Sequence, residues 1–182
     1  CEIVQSLQTM ITRRIDVFDP AVVTVGKISA GTVNNIIPET AEIEGTIRAV
    51  SEKTRRAVHD GIRRVAEGIA AAHDAEVIVR LEDGYPVTIN DKTQADVVLG
   101  LAGELVGSDK VIRLPNPIMG AEDFSYVLQE LPGAMVFLGG TPSDRNLATA
   151  APNHSNRVVF DEQAMITGTA MYAALALNHL HL

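Results

Sequence analysis

No tryptophan occurs among these 182 residues, and aromatic residues make up only 4% of the chain. Binding single-stranded nucleic acid relies on aromatic faces for base stacking, so the composition argues against that class. Positive charge is also scarce, with 15 Lys and Arg against 23 Asp and Glu and a formal net charge of −8. Such a chain is repelled by nucleic acid and by anionic membrane surfaces. One cysteine, Cys1, is present. It permits no intrachain disulfide, which suits a reducing compartment, and at the terminus nothing stands beside it to make it a nucleophile. No apolar run approaches the length of a membrane span and no signal-peptide pattern opens the chain, so a cytoplasmic location is expected.

What is present is ordinary globular material, 46% hydrophobic and 21% charged, enough for one domain or two small ones. Apolar residues at 3, 4, 7, 10 and 11 form a helical stripe over Ile3–Arg14, with Arg13 and Arg14 suited to the negative end of the helix dipole. No capping residue or initiator Met precedes this stripe, so the chain is expected to start inside a helix. Asp19-Pro20 marks a break, and the valine-rich stretch 21–31 predicts a strand. Asn34-Asn35 reads as a turn.

Residues 41–50 alternate, placing Ile43, Gly45 and Ile47 on one face and Glu42, Glu44, Thr46 and Arg48 on the other. The fork of Arg48 could pair with a neighbouring glutamate or hold a carboxylate from outside. Ser51 is a natural N-cap for a helix over 52–73 with Val58, Ile62, Val65 and Ile69 as its buried stripe. A further strand is predicted at 76–82, then a Gly84/Pro86 connector, a helix capped by Asp91, short strands at 111–114, 134–138 and 157–160, and a terminal helix near 162–179. Helix, strand, strand, helix, strand over 1–83 is a ferredoxin-like plan lacking one opening strand.

The stretch 118–162 gathers reactive side chains. Glu122 and Asp123 open a short helix, where carboxylates are favoured, or else Glu122 lies near a pocket. Gly139-Gly140 permit close backbone approach. His154 sits in a loop between two apolar elements; it reads as a surface histidine or as a metal ligand.

MGAEDFS, FLGG and PNHSNRVVFDE, with TVNNIIPETAEIEGTIRAV upstream, resemble a metal-dependent amidohydrolase/peptidase family. It includes hippurate hydrolase, N-acyl-amino-acid amidohydrolases and auxin-conjugate hydrolases. The resemblance implies an α+β chain: a ferredoxin-like lid (dimerisation) domain over 1–86, incomplete at its N-terminus, then over 87–182 the carboxy-terminal portion of an α/β zinc-peptidase-like catalytic domain. It implies a family enzyme that hydrolyses the amide of N-acyl amino acids or related small amides with two divalent metal ions, zinc, manganese or similar. A homodimer through the lid is implied as well. Carried over residue by residue, Asn35 and Arg48 contact substrate, Glu122, Gly139 and Gly140 support the pocket, and His154 binds metal. Asn156 and Val158 depart from the proline and aromatic residue that often follow this histidine, which alters the pocket's shape. On this reading the general base and most metal ligands lie outside the chain, which would be inactive alone. The other reading is a non-catalytic dimerisation or small-molecule-binding module.

Overall fold

The computed structural model describes residues 1–181. Two compact units divide the chain: 1–88 with 116–126, and 89–115 with 127–181.

The first unit begins with α1 (Glu2–Arg14), then β1 (Ala21–Ala30), β2 (Ala41–Ala49) and α2 (Glu52–Ala72). β1 and β2 pair antiparallel, Ala21 opposite Ala49 and Ala30 opposite Ala41. The register shifts between Val25 and Lys27, so Gly26 is the extra residue of a β-bulge. The bulge explains a sequence that otherwise breaks alternation. Before it the apolar face of β1 is Ala21, Val23 and Val25; after it Ile28 pairs with Ile43, which restores a common face. Gly45 lies beside this bend. A Cβ there would come within 2.4 Å of the Thr24 carbonyl oxygen, so no side chain fits.

Ala21, Val23 and the fully buried Val58 form the core, with Ile11, Ile15, Ile47, Ala49 and Ile62 packed around them. Both helices therefore cover one face of the ribbon, and Arg48 lies exposed on the other. The α2 stripe differs from the predicted one. Thr54, Val58, Gly61, Ala66 and Ala70 are buried, whereas Ile62, Val65 and Ile69 are only half-buried. Apart from Val58 the buried positions are small, and α1 approaches closely at one of them: a Cβ on Gly61 would meet Met10 Sδ at 2.8 Å. Gln8 adds a donor to the Val23 carbonyl at 3.0 Å.

The expected ferredoxin-like lid is corrected here. Residues 76–82 join no ladder, and the described sheet has two strands. β-propensity reports fitness for a half-buried pleated surface, not the presence of a partner. α1 and α2 already close the core over β1 and β2, so burying that face needs no further strand. Instead the connector is pinned to α2 by side chains. Arg55 bridges Glu52 at 2.8 Å and Asp83 at 3.0 Å, and Glu52 accepts from the Val87 amide at 3.2 Å. Tyr85 meets Tyr126 edge-on, with ring centroids 6.0 Å apart.

The second unit contains α3 (Lys92–Val106), a 3-10 turn at Ser108–Lys110 and α5 (Ala164–His179), while α4 (Phe124–Glu130) begins in the first unit. Asp91 caps α3 by accepting from Gln94 N at 2.9 Å, as its sequence predicts. α3 packs on α5, but only Val98 of α3 is buried. The predicted strands at 111–114, 134–138 and 157–160 form no ladder either. Isolated bonds lie in or just beyond two of them. Asn90 brackets Met135, donating to its carbonyl at 2.9 Å and accepting its amide at 2.8 Å, and Asp161 N donates to Gly140 O at 2.7 Å.

Ser51 caps α2 by accepting from Thr54 N at 3.1 Å, and donates its hydroxyl to Asp19 at 2.8 Å. Thr54 Oγ1 donates to the same carboxylate at 2.7 Å. The Thr54 bond first, then the Ser51 bond, holds Asp19 below the usual carboxylate range. A folded-state pKa below the unfolded one stabilises above the unfolded value, about 4 for aspartate, and that contribution fades as pH falls through the lowered folded value. Asp19→Asn should therefore cost stability at pH 6–7, and the gap to the parent should narrow below about pH 4. Denaturant melts at pH 7 and pH 3 test this; an equal gap at both would refute the linkage.

Candidate functional site

Arg48 is the best-defined of the predicted side chains. Its position next to the end of β2 puts it opposite Val22 and on the face away from the helices. Nη1 donates to the Met119 carbonyl at 2.8 Å, which ties the MGAED stretch to the strand. No carboxylate neutralises Arg48 among the described residues. The glutamate alternative is thus unfilled: Glu44 pairs with Lys27. A guanidinium has five N–H donors, so the bond to Met119 leaves others for a carboxylate.

Asn35 is exposed in the connection between β1 and β2. Ala41 and Arg48 lie seven residues apart on one strand, roughly 24 Å at the usual rise. Asn35 precedes the far end of that strand from Arg48, in the connection between β1 and β2.

Glu122 is half-buried and turned onto its own helix. Its carboxylate accepts from Phe124 N at 3.3 Å, and its carbonyl accepts from Ser125 N and from the hydroxyl of the fully buried Ser125. This is the helix-start arrangement, with the carboxylate at the positive end of α4. Asp123 is exposed.

In the second unit His154 is exposed and has a backbone φ of 70°. It is the third residue of a turn closed by Ser155 N donating to Pro152 O at 3.1 Å, a place where type II turns need a positive φ and usually hold glycine. Asn153 Oδ1 accepts from the His154 amide at 3.1 Å. A histidine in this conformation is tolerated with strain, and such strain clusters at functional positions. Gly140 accepts from Asp161 N, and a Cβ on it would meet Phe160 Cδ1 at 3.5 Å, an ordinary contact. Gly139 has open space around it, so neither glycine is required by a close approach within this unit.

Sequence reasoning missed a depression of about 270 Å³ lined by Thr141, Arg145, Asn146, Thr149 and Arg157 among others. Arg157 lies three residues beyond His154 in the quoted NHSNR stretch, and that adjacency was the available signal.

Catalytic zinc normally takes three protein ligands. Among the described residues no three His, Cys, Asp or Glu side chains converge to hold a metal ion. His154 offers one imidazole, so the donor set present does not by itself fit a metal pair.

The chain belongs to peptidase family M20/M25/M40, whose model matches residues 7–178. It is 34% identical over 178 residues to thermostable carboxypeptidase 2 of Saccharolobus solfataricus, covering 97% of this chain and 44% of that protein. It is 36% identical over 168 residues to the N-acetyldiaminopimelate deacetylase of Leuconostoc citreum, covering 92% of this chain and 41% of that protein. Among solved structures, one from methicillin-resistant Staphylococcus aureus, described as an aminohydrolase, matches the fold with a TM-score of 0.84 at 24% identity. It covers 98% of this chain and 45% of that one. A Bacillus subtilis protein described as a dinuclear metal binding peptidase of the M20 family matches with a TM-score of 0.75 at 30% identity, over 99% of this chain and 45% of that one. The chain thus spans under half the length of these relatives.

These matches correct the expectation of a truncated lid joined to a catalytic remnant. The family model and the solved structures run along nearly the whole chain, so it carries an α+β fold of the M20 type from residue 7 to residue 178. The expectations built on the remnant reading, an inactive fragment lacking most of the active site, are set aside with it.

The turn geometry yields a test. Replacing His154 with glycine removes the left-handed strain but loosens the unfolded chain. The net effect should lie between zero and about 1 kcal/mol of added stability, whereas alanine should cost stability. Equal destabilisation by glycine and alanine would show that the imidazole, not the backbone, holds this turn.

Proposed function

We propose that this protein is a metal-dependent hydrolase of amide bonds in small substrates that carry a free carboxylate, such as N-acyl amino acids. The observation that carries this reading is the unneutralised guanidinium of Arg48 on the open face of β2, beside the MGAED stretch. Carboxypeptidases and amino-acid deacetylases, the relatives' printed activities, both act on amides of carboxylate-bearing molecules. Arg48 supplies the matching grip, because its planar fork meets a carboxylate with two parallel bonds.

Two divalent ions, zinc or manganese, belong to this reading, as does a metal-ligand role for His154. Bound metal would activate water and polarise the amide carbonyl. Arg48 fixes one end of the substrate and, because an arginine stays protonated, does not compete with the His154 imidazole as a metal ligand. Asn35 belongs to the reading as a contact, with Arg48, to the substrate's carboxylate or polar end, Glu122 as a residue supporting the pocket, and Gly139-Gly140 as pocket backbone. Residues 1–86 act as a lid and dimerisation unit and 87–182 belong to the catalytic domain. A lone thiol suits a cytoplasmic setting.

Arg48→Ala should lower kcat/KM by roughly 30- to 150-fold, the loss of a charge-assisted pair worth about 2–3 kcal/mol. The loss should be larger for free acids than for their esters or amides. Equal losses would sink the carboxylate role.

Dimerisation is expected through the lid, where the ribbon leaves strand backbone exposed beyond the helices. Light scattering at micromolar concentration should return twice the chain mass; a monomer throughout would remove this part of the reading.

A further inference from the structure

α1 and α2 run antiparallel, with Glu2 at the start of one within 2.9 Å of His73 at the end of the other. Their closest approach is Met10 on Gly61. Because the helices run antiparallel, Arg13 and Arg14 of α1 lie one turn to one side of that contact, and Arg64 and Val65 of α2 one turn to the other. One turn back on α1 stands Ser6, with Thr9 beside Met10. These seven residues line an open depression of about 300 Å³.

Three arginines thus line one depression in a chain of net charge −8. Among the described residues none of the three pairs with a carboxylate, although Arg63 next door pairs with Asp60 and Arg55 with Glu52 and Asp83. The helix dipole accounts for Arg13 and Arg14, which lie in the last turn of α1. It does not account for Arg64, in the middle of α2. A multivalent anion lying along the depression could meet charges on both sides of the Met10–Gly61 contact. The volume lies at the small end of the range for ligand pockets, and guanidinium forks match phosphate oxygens, with the Ser6 and Thr9 hydroxyls as further donors.

We propose that the α1–α2 depression binds a small phosphate-type polyanion through Arg13, Arg14 and Arg64. The site is lined only by residues of these two helices, and it stands independently of the amidohydrolase reading. A single carboxylate would neutralise one of three charges, so affinity should rise with the charge of the anion.

Calorimetric titration of the full chain with tripolyphosphate, inorganic phosphate and acetate tests this. Saturable binding should be tightest for tripolyphosphate and absent for acetate. Arg64→Gln, and separately Arg13→Gln, should weaken tripolyphosphate binding roughly tenfold or more, the loss of one charge-assisted contact. Arg63→Gln, which removes the same charge outside the depression, should change it less than about twofold. These side chains are exposed, so the variants should fold, and circular dichroism checks that they do. No saturable binding by the parent chain would overturn the proposal. So would equal affinity in all variants, which would locate the anion elsewhere, or an equal loss in Arg63→Gln, which would reduce the effect to net charge.

Discussion

The packing of Met10 on Gly61 sets the spacing on which the first unit depends. Because the glycine has no side chain, α1 and α2 can lie close enough to cover a two-stranded ribbon between them. A two-stranded ribbon alone is marginal in water. With both helices on one face, Val58 loses all contact with solvent and Ala21 and Val23 are buried beside it. The opposite face stays open, and on it stands Arg48.

Polar side chains do the remaining fastening in this unit. Asp19 receives the hydroxyls of Ser51 and Thr54, joining the approach to β1 to the first turn of α2. Glu52 and Arg55, one turn apart, hold the connector at Asp83 and Val87. Arg48 reaches the Met119 carbonyl. The MGAED stretch, some seventy positions later in the chain, is thereby joined to the strand that carries the candidate carboxylate grip.

The second unit is held differently. Few of its apolar side chains are buried: Met165, Ile166 and Tyr172 of α5 are exposed, as are Phe137 and Leu138 in the apolar run before the glycines. Isolated hydrogen bonds stand in or beside the stretches where strand ladders are predicted, two between Asn90 and Met135 and one from Asp161 to Gly140. Its candidate ligand, His154, owes its position to a turn closed by one backbone bond, with a left-handed φ.

Local chemistry was legible in the sequence. The four long helices, the caps at Ser51 and Asp91, both strands of the ribbon, the outward direction of Arg48 and the carboxylates at the start of α4 follow from period, capping and dipole. Those are properties of a residue and its near neighbours. The reading of the chain as a truncated lid joined to a catalytic remnant was wrong, because short motifs show kinship and not how the fold is built between them. Pairing was not legible: 76–82 has a strand's composition but no ladder, since a partner is a long-range fact. Nor could spacing show that Arg48 rests on Met119, or that Arg64 lines the same depression as Arg13 and Arg14. Side-chain period determines which way a residue points; only the packing of distant segments decides what it meets there.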